Sequence, residues 1–351
     1  MIANARMYSV SPEAAALWRA LLAALIETSG SSIAVIDHPE PTPLEELWRR
    51  NDKGAVFMCG LPYARAASRP VLLAAPVPSP PEFAGAAQYW SDLVVRRDSD
   101  FGAIEQTFGQ RIAFTVPESQ SGCVAALTYL MSLHRSQTPN RDAPLYRELI
   151  APTITPLGAL TAVVDGAADV APIDSYALRL LELYRPELTS QVRVIAQTMP
   201  TPIPPLVASP EAASPAGTSQ AGPPLAGVSQ AEASAVVASS PVASSQIAVP
   251  QVAFPRVASP QIPLPLVASA VGAVAPQSSV GVLDSLRKAF VDAPQSPAIR
   301  GLMDKLLVSR FIAAQPSSYD ILRDQYEEAT RYWRLHRLAT VIHPRYVNHL
   351  T

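Results

Sequence analysis

Between residues 200 and 280 of this chain, dense proline argues against helix and central strand for all but one short native segment. Fifteen of its 36 prolines fall there, and each one fixes φ and removes a backbone donor. The same stretch carries three charges, Glu211, Glu232 and Arg256, and one aromatic residue, Phe254. Val-Ala-Ser recurs five times within it, starting at Val207, Val237, Val242, Val257 and Val267. Pro-Leu-Val-Ala-Ser appears near both ends, at 205–209 and 265–269. Internal expansion of one original segment accounts for this repetition, with the first or the last copy keeping a native strand. The remainder, 210–263, is expected to be a disordered, polyproline-like Pro/Ala/Ser-rich insertion. It is either neutral or a tract on which a partner docks. The fold has to come from the flanks.

Those flanks alternate strand and helix. Ile2–Ser9 reads as a strand. Ser11 then caps a helix with Pro12 at its first position, running to about Thr28. Short apolar runs at 32–36, 55–59 and 71–75 read as parallel strands, with a helix at 44–50 between two of them. Residues 92–197 repeat the pattern, with strands near 92–96, 111–116, 169–173 and 191–196 and helices near 102–107, 122–134, 157–165 and 175–184. This predicts a second α/β unit inserted into the first. Beyond Val280 the spacing predicts three helices, at 282–290, 299–307 and about 318–337.

Composition removes several functions. The formal net charge is −2, so nothing in the overall balance points to nucleic acid. No apolar run reaches the roughly 18 residues that span a bilayer, so no membrane insertion is expected. Two cysteines, Cys59 and Cys123, are too few for a disulfide framework, and free thiols are expected. The N-terminus has no basic segment followed by an apolar run and a cleavage site. The sequence as it stands predicts a cytoplasmic protein, or a periplasmic one if the true start lies upstream. No hydrolase elbow, zinc motif, Walker loop or dinucleotide turn is present, and the five histidines show no metal-ligand spacing. No catalytic residue, metal or cofactor is therefore assigned.

The most specific local pattern is an apolar strand, Ile112–Val116, that runs through Ser119-Gln120-Ser121-Gly122 into a helix. The free N–H groups of a helix's first turn and its positive dipole end suit an anion. Ser119 and Ser121 add hydroxyls, and Gly122 lets a ligand come close. An ordinary N-cap at Ser119 or Ser121 gives the same pattern. Downstream, Asp169-Val-Ala-Pro-Ile reads as a strand that delivers Asp174 to its C-terminal end, where open α/β sheets place ligand contacts. A helix N-cap is the other reading of Asp174.

Five segments in order carry a family resemblance. They are Met7-Tyr8, then Cys59-Gly60 followed by Pro62, then Tyr89 and Ser91 leading into Leu93-Val94-Val95-Arg96. Ser119-Gln120-Ser121-Gly122 and Gly166 with Asp169-Val170-Ala171 and Ile173-Asp174 complete the set. Thr198 and Pro200 match the exit from a second lobe. Over residues 1–200, and more loosely 280–335, the chain resembles the phosphate, phosphite and phosphonate substrate-binding family, which has the two-lobed class II periplasmic-binding-protein fold. The resemblance implies one discontinuous lobe (1–91, 198–209 and 264–351), a second lobe at 92–197, and a hinge near 91–93 and 197–202. It implies a ligand site from Tyr8, Cys59, Gly60, Tyr89 and Ser91 facing Ser119, Gln120, Ser121, Gly122 and Asp174. The partners implied are a small oxyanion ligand and an ABC transporter permease. Where the family often has Gly-Ser-His before its next helix, this chain has Thr155-Pro156-Leu157, so one anion contact is replaced. A cytoplasmic sensor or interaction protein on the same scaffold is the alternative function, and an enzyme comes third.

Overall fold

A computed structural model describes residues 1–137, 144–210, 279–335 and 339–342. The expected insertion, from residue 211 on, lies outside the described residues, as does the end of the basic C-terminal helix pattern at Arg337. The first strand, β1 (Ile2–Asn4), is shorter than the sequence predicts. Asn4 Oδ1 accepts from the Arg6 N–H at 2.9 Å and turns the chain into a 3-10 turn, Arg6–Tyr8. The next element, α1 (Pro12–Thr28), starts where expected, with Ser11 Oγ accepting from the Ala14 N–H at 3.0 Å. The first alternation continues through β2 (Ala34–Val35), α2 (Leu44–Arg49), β3 (Lys53–Phe57), α3 (Gly60–Arg65) and β4 (Val71–Pro78).

From β5 (Gln88–Tyr89) the chain crosses at Trp90 into β6 (Ser91–Arg96) and β7 (Arg111–Ala113). A wide π-type turn, Gln120–Val124, leads into α4 (Ala125–Gln137), followed by β8 (Tyr146–Ile150), α5 (Pro156–Val164) and β9 (Val170–Asp174). Then come α6 (Ser175–Tyr184), α7 (Pro186–Thr189) and β10 (Val192–Gln197). The return is through β11 (Thr201–Pro202) and β12 (Leu206–Ala208). The last part is α8 (Ser279–Asp292), α9 (Pro297–Lys305), β13 (Val308–Ile312), α10 (Ile321–Leu335) and β14 (Ala339–Ile342).

Two six-stranded sheets result, ordered β13-β4-β12-β3-β1-β2 and β10-β6-β9-β7-β8-β14. Neither is purely parallel. In the first, β1 runs parallel to β2 and β3, but the returning β12 inserts antiparallel between β3 and β4, and β13 pairs antiparallel with β4. β4, expected at 71–75 as a parallel strand, points the same way as β3 but pairs only with antiparallel neighbours. The sequence reading also missed β8 and β13, each five residues long. Between the sheets, β5 and β11 pair antiparallel, Tyr89 opposite Thr201. Thr198 Oγ1 accepts from the Ser91 N–H at 2.9 Å at the same crossing.

A third crossing was not foreseen. After β13, α10 lies against both α3 and α4, and β14 then pairs in parallel with β8 in the second sheet. Residues 339–342 thus leave the first unit, to which the sequence reading gave all of 264–351. The physical reason is position, since α10 carries the chain across to the open edge of β8. The aromatic centre of the molecule is Tyr8, Trp18 and Phe57, with Phe57 edge-on to Tyr8 at 5.3 Å and to Trp18 at 5.0 Å. Each is almost fully buried, and burial of a side chain of this size stabilises by about 1.5–3 kcal/mol. Tyr176 joins them from the second half, 4.7 Å from Tyr8, and its hydroxyl donates to the Leu306 carbonyl at 2.6 Å.

Candidate functional site

The strand ends decide where the site forms. After β1 the chain gives Arg6–Tyr8, after β3 it gives Cys59, after β7 it gives Thr115, and β9 ends on Asp174. All four are C-terminal strand ends, and they converge on one cavity of about 230 Å³. Seven of the ten residues singled out in the sequence line it: Tyr8, Cys59, Tyr89, Ser119, Ser121, Gly122 and Asp174.

The other three support its walls. The Ser91 hydroxyl donates to the Ser121 carbonyl at 2.7 Å and so holds the turn from behind. Gln120 is fully buried with its amide donating to Gln325 Oε1 on α10, away from the cavity. Gly60 backs onto the same helix, where an added Cβ would stand 2.8 Å from Leu322 Cδ1.

The Ser119–Gly122 turn is built tightly. Ser119 Oγ accepts from the Gly122 N–H at 3.0 Å, which makes Ser119 the N-cap of the wide turn and leaves its own proton available. The Thr115 N–H donates to the Gly122 carbonyl at 3.2 Å. A Cβ on Gly122 would lie 2.0 Å from Thr115 Oγ1, so only glycine fits this close approach. Wide turns of this type are frequent at functional sites.

Beside the turn stands Asp174. It caps α6 by accepting from the Ala177 N–H at 2.9 Å, and its other oxygen accepts from the Ser121 hydroxyl at 3.4 Å. Burial pushes its carboxyl up to about 7, against the pull of the backbone donors at Ala177 and Tyr176 and of Ser121, and buried Asp92 pushes the same way. The hydroxyls of Tyr8 and Tyr89 are held well above their ordinary value, first by burial and then by Asp174 at Tyr8 and by Cys59 and Asp174 at Tyr89, so both remain neutral donors. The Tyr8 hydroxyl and Thr115 Oγ1 have no hydrogen-bond partner, and the Tyr89 hydroxyl, which lies against the Ser121 side chain, has none of good geometry. Three buried, unpartnered hydroxyls on residues that line one cavity are poised for a ligand with several acceptors.

Among the lining residues the single cation is Arg6, and it is engaged: its guanidinium donates to the Thr42 carbonyl and faces Glu40 and Glu45. Cys59 Sγ sits 3.9 Å from the Glu118 carbonyl, bringing the two halves together over the cavity. Both cysteines are free and buried, as expected, and burial raises both thiols, Cys59 to about 11. Cys123 is a small core residue. Sequence reasoning missed Arg6, Thr115, Glu118, residues 40–45 and Trp48, all of which line the cavity. The one usable signal was Thr115, a hydroxyl interrupting an apolar strand just before a serine-rich turn.

A family model described as ABC transporter, phosphonate, periplasmic substrate-binding protein matches residues 8–218. The binding-protein component of an ABC phosphonate transporter from Pseudomonas aeruginosa superposes with a TM-score of 0.62 at 15% identity, covering 99% of this chain and 92% of that one. PhnD1 from Prochlorococcus marinus, in complex with methylphosphonate, gives 0.60 at 12% identity over 93% and 96% of the two chains. At such identities the likeness establishes the fold, which is periplasmic-binding-protein-like. No curated protein matches the chain.

Proposed function

Because the chain belongs to the family of periplasmic substrate-binding proteins of phosphonate ABC transporters, we propose that its cavity binds a small oxyanion of the phosphonate class. The two sheets then act as lobes that close on the ligand about the Trp90 and Thr198–Met199 crossings, and an ABC transporter permease is the partner that receives it. The observation that carries this reading is the trio of buried, unpartnered hydroxyls of Tyr8, Tyr89 and Thr115 at one cavity with the Ser119–Gly122 helix start. An oxyanion offers several lone pairs in one place, and neutral donors with a helix dipole hold it without a paired cation.

Asp174 supplies a selection rule. Its carboxyl lies beside Ser121 with no lining cation assigned to it, so a bound oxyanion requires it protonated, whereas the ionised form favours a ligand that also carries an amine. The family is periplasmic, and the described residues contain no helix long and apolar enough to cross a membrane. Residues 2–4 form a buried strand of the first sheet.

Titration calorimetry with methylphosphonate tests the assignment. Wild type should bind, and Ser121→Ala should weaken binding by about 1–3 kcal/mol through loss of a charge-assisted hydrogen bond. Absence of oxyanion binding, or affinity unaltered by changes at both Ser119 and Ser121, would sink it.

A further inference from the structure

The cavity extends past the groups that would hold an oxyanion. Its polar donors are buried, with Tyr8 and Tyr89 each 1% exposed. Its outer lining is half-buried or exposed and is largely apolar: Leu44 and Trp48 from α2, Pro43 before it, and Ile154 and Pro156 from the other half. Leu44 and Trp48 stand one turn apart and share a helix face. Trp48 Nε1 donates to the Phe57 carbonyl at 2.9 Å, which fixes its indole.

Ile154 is the unusual member. Its φ is +67°, and the Thr155 N–H donates to the Thr153 carbonyl at 2.7 Å, closing a three-residue turn around it. A β-branched residue is strained in that conformation. Burial in the core does not offset the strain, because Ile154 is 39% exposed. Strained residues of this kind gather at ligand sites. The charged groups on this part of the lining are Arg6, which faces Glu40 and Glu45, and Glu118.

We propose that Leu44, Trp48, Ile154 and Pro156 form a second subsite that takes an uncharged apolar substituent of the ligand. This rests on the oxyanion reading above and narrows it. The preferred solute is then an organophosphonate or organosulfonate with a propyl- to phenyl-sized group, with the head on Ser119–Gly122 and the tail between the two lobes. Size agrees, since a cavity of about 230 Å³ compares with about 30 Å³ per water molecule and leaves room for several carbon atoms beyond the head. Ligand sites are commonly built this way, with a few polar groups to orient the ligand and an apolar wall around the rest.

Calorimetric titration of the full chain with methylphosphonate, propylphosphonate and phenylphosphonate tests the subsite. Dissociation constants should fall along the series, by about tenfold or more from methyl to phenyl, as expected for added apolar burial. In Ile154→Asn, which suits positive φ, the phenyl-to-methyl ratio should collapse toward one without a fall in melting temperature. Trp48→Leu should reduce the same ratio. A wild-type ratio near one, or a ratio unmoved by both substitutions, overturns the subsite while leaving methylphosphonate binding as support for the oxyanion site. Failure of all three ligands to bind removes the oxyanion reading and the subsite with it.

Discussion

Two helix starts meet at the cavity, and they use one capping geometry to opposite electrostatic ends. The turn before α4 opens behind Ser119 and α6 behind Asp174, and in each the cap oxygen accepts from the N–H three residues on, at 3.0 Å and 2.9 Å. Ser119 is neutral, so the positive end of its helix dipole stays uncompensated and faces the cavity. Asp174 would compensate its own dipole if ionised, but burial raises its carboxyl to about 7. The Ser119 start carries no titrating cap of its own, whereas the Asp174 start loses its positive character when its cap ionises, and the two share one cavity, so an anion is held best while Asp174 keeps its proton. The comparison teaches that identical local hydrogen bonding leaves the chemistry of a helix start to the burial of its cap.

The largest expected effect comes from removing the titration at Asp174. Its folded-state value lies above its unfolded one, so the native state holds the extra proton between pH 4 and 7 and wild-type stability falls as pH rises through that window. Asp174→Asn keeps the bond to Ala177 without the charge. Above pH 7 it should be more stable than wild type by about 4 kcal/mol, and near pH 4 the two should coincide, as read from urea melts without ligand. A difference independent of pH would mean that Asp174 does not titrate across this range. The two starts would then differ only in residue type.

A smaller effect tests how tightly the Ser119 start is built. Gly122→Ala drives a Cβ into Thr115 Oγ1 and should cost about 1–3 kcal/mol of stability. Thr115→Ala in the same molecule should recover part of it. Equal melting temperatures for wild type and Gly122→Ala would show that the turn has room to relax, and the close approach would lose its meaning.

The smallest effect is the cap itself. Ser119→Ala should lower stability by about 1 kcal/mol, while Ser119→Asp should restore the cap yet repel an oxyanion. Thermal melts measure the first and methylphosphonate titration the second. Retained affinity in Ser119→Asp would break the contrast between the two starts, because a charged cap would then be tolerated at both.

Much of this was legible in advance. Ser11 and Pro12 marked the start of α1, Asp169-Val-Ala-Pro-Ile-Asp174 marked β9 and its C-terminal end, and the serine-rich turn marked the start of α4. Each is a local signal, and hydrogen-bonding geometry within a few residues fixes each one. The cavity wall from Glu40 to Trp48 was not legible, because its residues carry no pattern beyond that of a proline-containing loop and a short amphipathic helix. Ile154 left no trace either, since a positive φ at a β-branched residue is contrary to its own preference and is imposed by its surroundings.

The sequence by itself determined the α/β class, the split of the chain by its proline-rich tract and most elements that bring polar side chains to strand ends. Propensity, periodicity and capping act over distances the chain encodes directly. Only the tertiary structure decided that β12 inserts antiparallel between β3 and β4, that α10 spans both halves, and that Ser91 and Gln120 brace the site from outside its cavity. It also decided that burial lifts the Asp174 carboxyl to about 7. Each of these depends on what lies next to a residue after distant segments have packed, and a buried carboxyl's affinity for a proton is set by the water it has lost.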